Sequence, residues 1–119
     1  MNKAQVIQQF WESFGLPAYE ESTVPDNAAM PYITYSMASD SIGHPIAMAA
    51  SIWDKTYSWE SISQIADSIS DALIQVKSIP LDVGYIYITR GTPFAQRMVD
   101  EDDTIRRIYI NLMVEYLAP

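Results

Sequence analysis

The side chains able to do chemistry are few, and most fall in the last third of the chain. His44 is the single histidine, set between Gly43 and Pro45. A lone imidazole needs an ordered partner before it can act as a base or activate a nucleophile, so His44 reads as a loop-surface residue. Asp100, Glu101, Asp102 and Asp103 are consecutive. Carboxylate oxygens suit a hard cation, but this run lacks the glycine and the spaced acids of a calcium loop and reads as a solvated turn. Like charges this close repel, and they require water, a basic partner surface, or the neighbouring Arg106 and Arg107. Arg90, Arg97, Arg106 and Arg107 could pair with the acidic run either within one chain or between copies. None of the four glycines belongs to a phosphate-binding loop. The absence of cysteine removes disulfides and thiolate metal sites, and fits synthesis in a reducing cytoplasm. These residues give no catalytic, cofactor or metal site, and the chain does not read as an enzyme.

Fifteen acidic against seven basic side chains leave a formal charge of −8 on 119 residues. Such a surface repels nucleic-acid phosphates, which argues against sequence-reading of DNA or RNA. The length and a hydrophobic share of 49% describe one domain, residues 1–119, with one core. Apolar runs such as Ile46–Ala50 fall far short of the roughly 20 residues a membrane span needs. The opening Met1–Gln5 leads into a polar helix, so no signal peptide is expected. Three Trp and eight Tyr are many for this size. Either some of them face a partner, as Tyr and Trp favour interfaces, or they belong to a Tyr-rich sheet with none.

The elements that must position these residues follow from periodicity. Asn2–Phe14 reads as a helix capped by Asn2, with Gln5 completing a capping box and Gly15 ending it. Val6, Ile7, Phe10, Trp11 and Phe14 form its apolar stripe. Leu16–Met30 reads as an irregular acidic connector along the surface, long enough to suggest contact with a neighbouring subunit. Pro31–Met37 and Ile46–Trp53 read as strands joined by the turn Ala38–Pro45, which contains Asp40 and His44. Ser58–Val76 is the strongest helix. Its apolar stripe is Trp59, Ile62, Ile65, Ala66, Ile69, Ala72, Leu73 and Val76, with Thr56 or Ser58 as cap. Trp53 and Trp59 bracket the turn before it, in a packing rather than a binding role. Ser78–Asp82 reads as a turn, Val83–Arg90 as a strand, and Gly91–Met98 as irregular or a short helical turn. In Thr104–Leu117, Ile108, Ile110, Leu112, Val114 and Tyr116 alternate with Arg107, Tyr109, Asn111, Met113 and Glu115, which describes one buried and one wetter face.

The expected architecture is therefore α+β, in the order α-β-β-α-β-β, with a four-stranded antiparallel sheet and two helices packed on one face. The wetter face carries Tyr and Met as well as charge, which suggests burial against another copy. Candidate subunit or partner contacts are Asp40, His44, Tyr85, Tyr87, Arg90, Arg97, Asp100, Glu101, Asp102, Asp103, Arg106, Arg107 and Tyr109.

Several stretches carry a family likeness: Pro31-Tyr32-Ile33-Thr34-Tyr35, Ser51-Ile52-Trp53-Asp54-Lys55, Tyr57-Ser58-Trp59 and Ile65-Ala66-Asp67-Ser68-Ile69. Tyr85–Arg90 and the closing strand Arg106–Tyr116 extend it over nearly the whole chain. With this order of elements, the chain resembles the small tail-terminator (tail-to-head joining) proteins of long-tailed bacteriophages. The resemblance implies a virion protein, assembled in the host cytoplasm, that forms a hexameric ring in the tail or neck. Such a ring caps the tail tube, ends its polymerisation and joins the tail to the head connector or a head-completion protein. Its partners would be other copies of itself, the tube protein and the connector, with no membrane and no cofactor. An acidic lumen would let DNA pass without specific binding, because carboxylates repel phosphates. Other neck, head-completion or minor tail proteins share this size and topology, and a small ligand-binding domain is the third reading.

Overall fold

A computed structural model describes residues 1–37 and 44–118 of the chain. The elements in order are α1 (Lys3–Glu12), β1 (Ala18–Glu20), β2 (Tyr32–Tyr35), β3 (Ile46–Lys55), α2 (Glu60–Ala72), β4 (Lys77–Pro80), β5 (Tyr85–Met98) and β6 (Ile105–Leu117). They make an α+β fold of two helices on a curled, mixed sheet of six strands, ordered β1-β2-β3-β6-β5-β4.

The centre of the sheet is the antiparallel pair β3–β6, in unbroken register from Ile46↔Val114 to Lys55↔Ile105. Strict alternation in β6 buries Ile108, Ile110, Leu112, Val114 and Tyr116, as the sequence pattern requires. Their cross-strand partners Met48, Ala50 and Ile52 lie on the same face, joined by Ile33 and Tyr35 of β2 and by Ile86 and Ile88 of β5. Both helices close over this face. From α2 come Ile62, Ala66 and Ile69, and from α1 come Val6, Ile7, Phe10 and Trp11. Trp11 stacks on Tyr35 at 6.3 Å between ring centres. The Tyr35 hydroxyl donates to Gln8 Oε1, and Gln8 Nε2 donates to the Ala18 carbonyl at 2.7 Å, which ties α1 to two strands. Burial raises the Tyr35 pKa above the ordinary phenol value, with the nearby Glu20 and Glu12 charges adding to the effect.

Helix α1 is capped as its sequence proposes. Gln5 N donates to Asn2 Oδ1 and Asn2 N to Gln5 Oε1, satisfying two terminal amides reciprocally. Helix α2 is shorter than its stripe suggests. It starts at Glu60 behind Trp59, whose side chain makes no cap bond, and Val76 lies beyond its end, 54% exposed. Ser58 Oγ accepts from Glu60 N, so Ser58 does help to start the helix. Ile65 is only half-buried, whereas Ile62 and Ile69 are fully enclosed.

Three expectations need correction, and together they turn a four-stranded antiparallel sheet into a six-stranded mixed one. Within the connector Leu16–Met30, Ala18–Glu20 pairs in parallel with Ile33–Tyr35. This strand is too short to show a period. It is held by tertiary contacts, including Ile33 N donating to the Pro17 carbonyl at 2.8 Å. The supposed turn Ser78–Asp82 largely belongs to β4, an edge strand on β5, where Pro80 at the strand end is tolerated. Gly91–Met98 is neither irregular nor helical but continues β5. A bulge between Arg90 and Ala95 sets the residues between them against Asn111 alone, whose Nδ2 donates to the Pro93 carbonyl at 3.1 Å. Most of the turn Ala38–Pro45, including Asp40, lies outside the described residues. Among the described residues no helix is long and apolar enough to cross a membrane.

Gly84 shows how tightly β5 joins β6. It has φ +87°, and a Cβ there would lie 2.1 Å from the Leu117 carbonyl oxygen. The core makes a direct prediction. Ile69→Ala, which empties a fully buried site between α2 and the sheet, should cost about 2–5 kcal/mol in urea unfolding. The half-buried Ile65→Ala should cost clearly less, and equal losses would contradict the packing described.

Candidate interaction surface

The helices cover one face of the sheet, and the other face carries no element of the described chain over its centre. Register places Tyr32 and Thr34 of β2, Trp53 and Ser51 of β3, and Arg107 and Tyr109 of β6 side by side on this open face. Their side chains interlock. Trp53 Nε1 donates to Thr34 Oγ1 at 2.9 Å, and Arg107 Nε donates to Ser51 Oγ at 2.9 Å. The Arg107 guanidinium lies 4.6 Å from the Trp53 ring centre and 5.9 Å from that of Tyr109, within range of a cation–π attraction. Glu21 and Val24, from the segment after β1, wall the grid on one side, and the resulting groove has a volume of about 260 Å³. Further along the same face, Tyr85 and Tyr87 are 45% and 38% exposed beside Met113 and Glu115.

Alternation sends Arg106 to the opposite side from Arg107. There Arg97, the cross-strand partner of Ile108, joins it under the start of α2. The two guanidinium groups lie 4.9 Å and 5.5 Å from the Trp59 ring centre, and Arg106 is also 5.9 Å from that of Tyr57. Arg106 donates through Nη1 to the Asp103 carbonyl at 2.7 Å, while its Nε is enclosed without a hydrogen-bond partner. Trp59 thus closes the end of the core with charge stacked on its ring.

The turn between β5 and β6 organises itself. Asp102 N donates to Asp100 Oδ1 at 3.0 Å, and Thr104 donates to Asp102 Oδ1 through both its N–H and its hydroxyl. Those Thr104 bonds, hydroxyl first, hold the Asp102 pKa below the usual carboxylate range, with Lys55 adding to them. Val99, at the start of the turn, is 100% exposed.

The expected residues therefore do not form one site. Arg107 and Tyr109 share the groove, and Tyr85 and Tyr87 lie on the same face away from it. Arg97 and Arg106 belong to the helix side. Arg90 does too, its Nη1 donating to Ser70 Oγ of α2 at 3.0 Å. Asp100, Glu101, Asp102 and Asp103 form the turn, His44 is exposed just before β3, and Asp40 lies outside the described residues. Within one chain, none of the four arginines forms an ion pair with the acidic run among the described residues. The ion pair found there joins the N-terminal amine to Asp82. The reason is geometric: the strands aim Arg97, Arg106 and Arg107 at aromatic rings and Arg90 at Ser70, while Asp100 and Asp102 accept from their own turn.

Trp53, Thr34, Ser51, Tyr32 and Glu21 were absent from the sequence-based candidates. Alternation places Arg107 on the wetter face of its strand, but only the register shows that it meets Trp53. Trp59 packs against the core, whereas Trp53 lines the open-face groove, and each carries an arginine on its ring. Among the described residues no three His, Asp or Glu side chains converge as a metal ion would require. No protein-family model matches the chain, and no curated protein matches it.

Trp59→Ala should lower stability by about 2–3 kcal/mol in urea, from two guanidinium–ring contacts and lost apolar burial, with Trp59→Phe recovering part of it. A pH dependence should belong to the turn. A carboxylate whose pKa is depressed on folding contributes stability above its unfolded value, and loses it as pH falls through the folded one. Asp102→Asn should therefore be slightly less stable than the wild type at neutral pH, and the gap should close below about pH 4. A gap that persists unchanged in acid would remove the charge from the account.

Proposed function

We propose that this chain is the repeating subunit of a hexameric ring that caps the tail tube of a long-tailed bacteriophage. The ring ends tube polymerisation and joins the tail to the head connector. The observation that carries the reading is the open sheet face: one layer of helices covers one side, and the other presents half-buried Trp53, Arg107, Tyr109 and Met113 with exposed Tyr87 beyond them. A face rich in aromatics, with Arg107 set among them and charge kept to isolated positions, has the composition of the centre of a protein interface. The family likeness supplies the ring and its station, and the net charge of −8 suits a lumen that conducts DNA without holding it.

The mechanism follows from those surfaces. Subunits joined through sheet faces and edges make a stiff annulus. One rim matches the last ring of the tube, and the other offers no further tube-like surface, so growth stops there. The acidic turn between β5 and β6 is exposed at Glu101, Asp102 and Asp103, and the segment after β1 walls the groove through Glu21 and Val24, so both border surfaces that a neighbour would meet.

The test is reconstitution with a tail-tube protein from the same genome. Added during polymerisation, the chain should hold tubes at a limited length, with a ring visible at one end by negative-stain microscopy. Tubes that keep elongating past a chain that native mass spectrometry shows only as a monomer would reject the reading. Binding to completed heads rather than to tubes would move the protein to a head-completion role.

A further inference from the structure

The groove on the open face and the acidic turn are two halves of one contact. We infer that the turn Val99–Asp103 of one copy seats in the Trp53–Arg107 groove of the next, a step that rests on the ring reading and names the surfaces the ring would use.

The groove is shaped for a protein turn. At about 260 Å³ it is smaller than the roughly 300–1,000 Å³ clefts that enclose small-molecule ligands, and it is open along the sheet. Its floor is aromatic, and Arg107 supplies its cation. Only Nε of that guanidinium is engaged, by Ser51, so its outer nitrogens have no hydrogen-bond partner among the described residues. A guanidinium flanked by Trp53 and Tyr109 is fixed in direction and ready to take a carboxylate through two parallel bonds.

The turn offers what this groove lacks. Val99 is the most exposed apolar residue described and is followed by four acids. The backbone is already held by the Asp100 and Asp102 side chains and by Arg106 on the Asp103 carbonyl, so docking would order little that is loose. Glu101 and Asp103 have no ion-pair partner among the described residues and remain exposed as acceptors. The turn does not line its own groove. Met98 pairs with Arg107 and the chain then runs onward past it, so no residue of the turn lines the groove of its own molecule. Two different surfaces on one copy make a head-to-tail contact, the kind that closes into a ring when its rotation allows. Glu21 stands on the groove wall as a like charge to the incoming acids and limits the strength of the contact.

The chain has no cysteine, so single replacements can report the contact without background. Val99→Cys in one preparation and Val24→Cys in another should give a covalent heterodimer on mild oxidation, since a disulfide requires Cα atoms about 4.4–6.8 Å apart. Glu101→Lys on the exposed turn should cut its yield about tenfold, as the loss of one close charge pair would. Glu21→Gln on the wall should raise it. A yield no greater than that of Asp67→Cys, on the exposed side of α2, would overturn the inference, as would Val99→Cys linking only to itself. If Val24→Cys links instead to added tube protein, the occupant is an acidic segment of another protein and the inference fails. Rings formed by the wild type under the microscope, with no link between the Val99→Cys and Val24→Cys variants, would sink this contact and leave the ring reading standing. A chain that neither links nor caps tubes would remove both.

Discussion

The unbroken antiparallel pairing of β3 with β6 is the constraint on which the rest of the structure depends. Ten cross-strand pairs, from Ile46↔Val114 to Lys55↔Ile105, fix which side chains of both strands point to the helices and which to the open face. A slip of one residue would exchange Ile108, Ile110 and Leu112 for Arg107, Tyr109 and Asn111 in the core, which burial energies forbid. Every other strand attaches to this pair. β2 joins β3 and brings β1, while β5 joins β6 and brings β4.

From that register comes the unusual treatment of positive charge. The chain has seven basic side chains against fifteen acidic ones, so ion pairs would be the default for its arginines. Arg97, Arg106 and Arg107 instead lie over Trp59, Tyr57, Trp53 and Tyr109. An exposed ion pair gains little in water, whereas a guanidinium on a ring covers apolar surface and keeps its edge nitrogens for hydrogen bonds. The same chemistry thus seals the end of the core on one face and builds a groove on the other. It also leaves acidic side chains facing outward, where they shape what the surface can meet.

The bulge at Gly91–Phe94 resets the alternation of β5. Four residues stand against Asn111, so even-numbered Arg90 before the bulge and odd-numbered Arg97 after it both pair with helix-side residues of β6, Leu112 and Ile108. That shift in parity puts Arg97 on the side where Trp59 lies.

Residue periodicity alone determined the α+β class, both helices, the capping box at Asn2 and Gln5, and the buried face of β6. Each is a local matter: a repeat of two or of three to four residues records which side of an element meets apolar surroundings. The tertiary structure alone decided the sheet's size and mixed character, because β1 and β4 are too short to carry a period and exist only through their partners. It also decided that Gly91–Met98 is strand, since a bulge hides alternation behind Gly and Pro. The groove was half legible. Arg107 and Tyr109 could be placed on a wetter face from the sequence, but their meeting with Trp53, Thr34, Ser51 and Glu21 depends on register and on the path of a connector. Which arginine meets which ring, and that none meets the acidic run within one chain, is set by pairing between distant strands, and no local pattern records it.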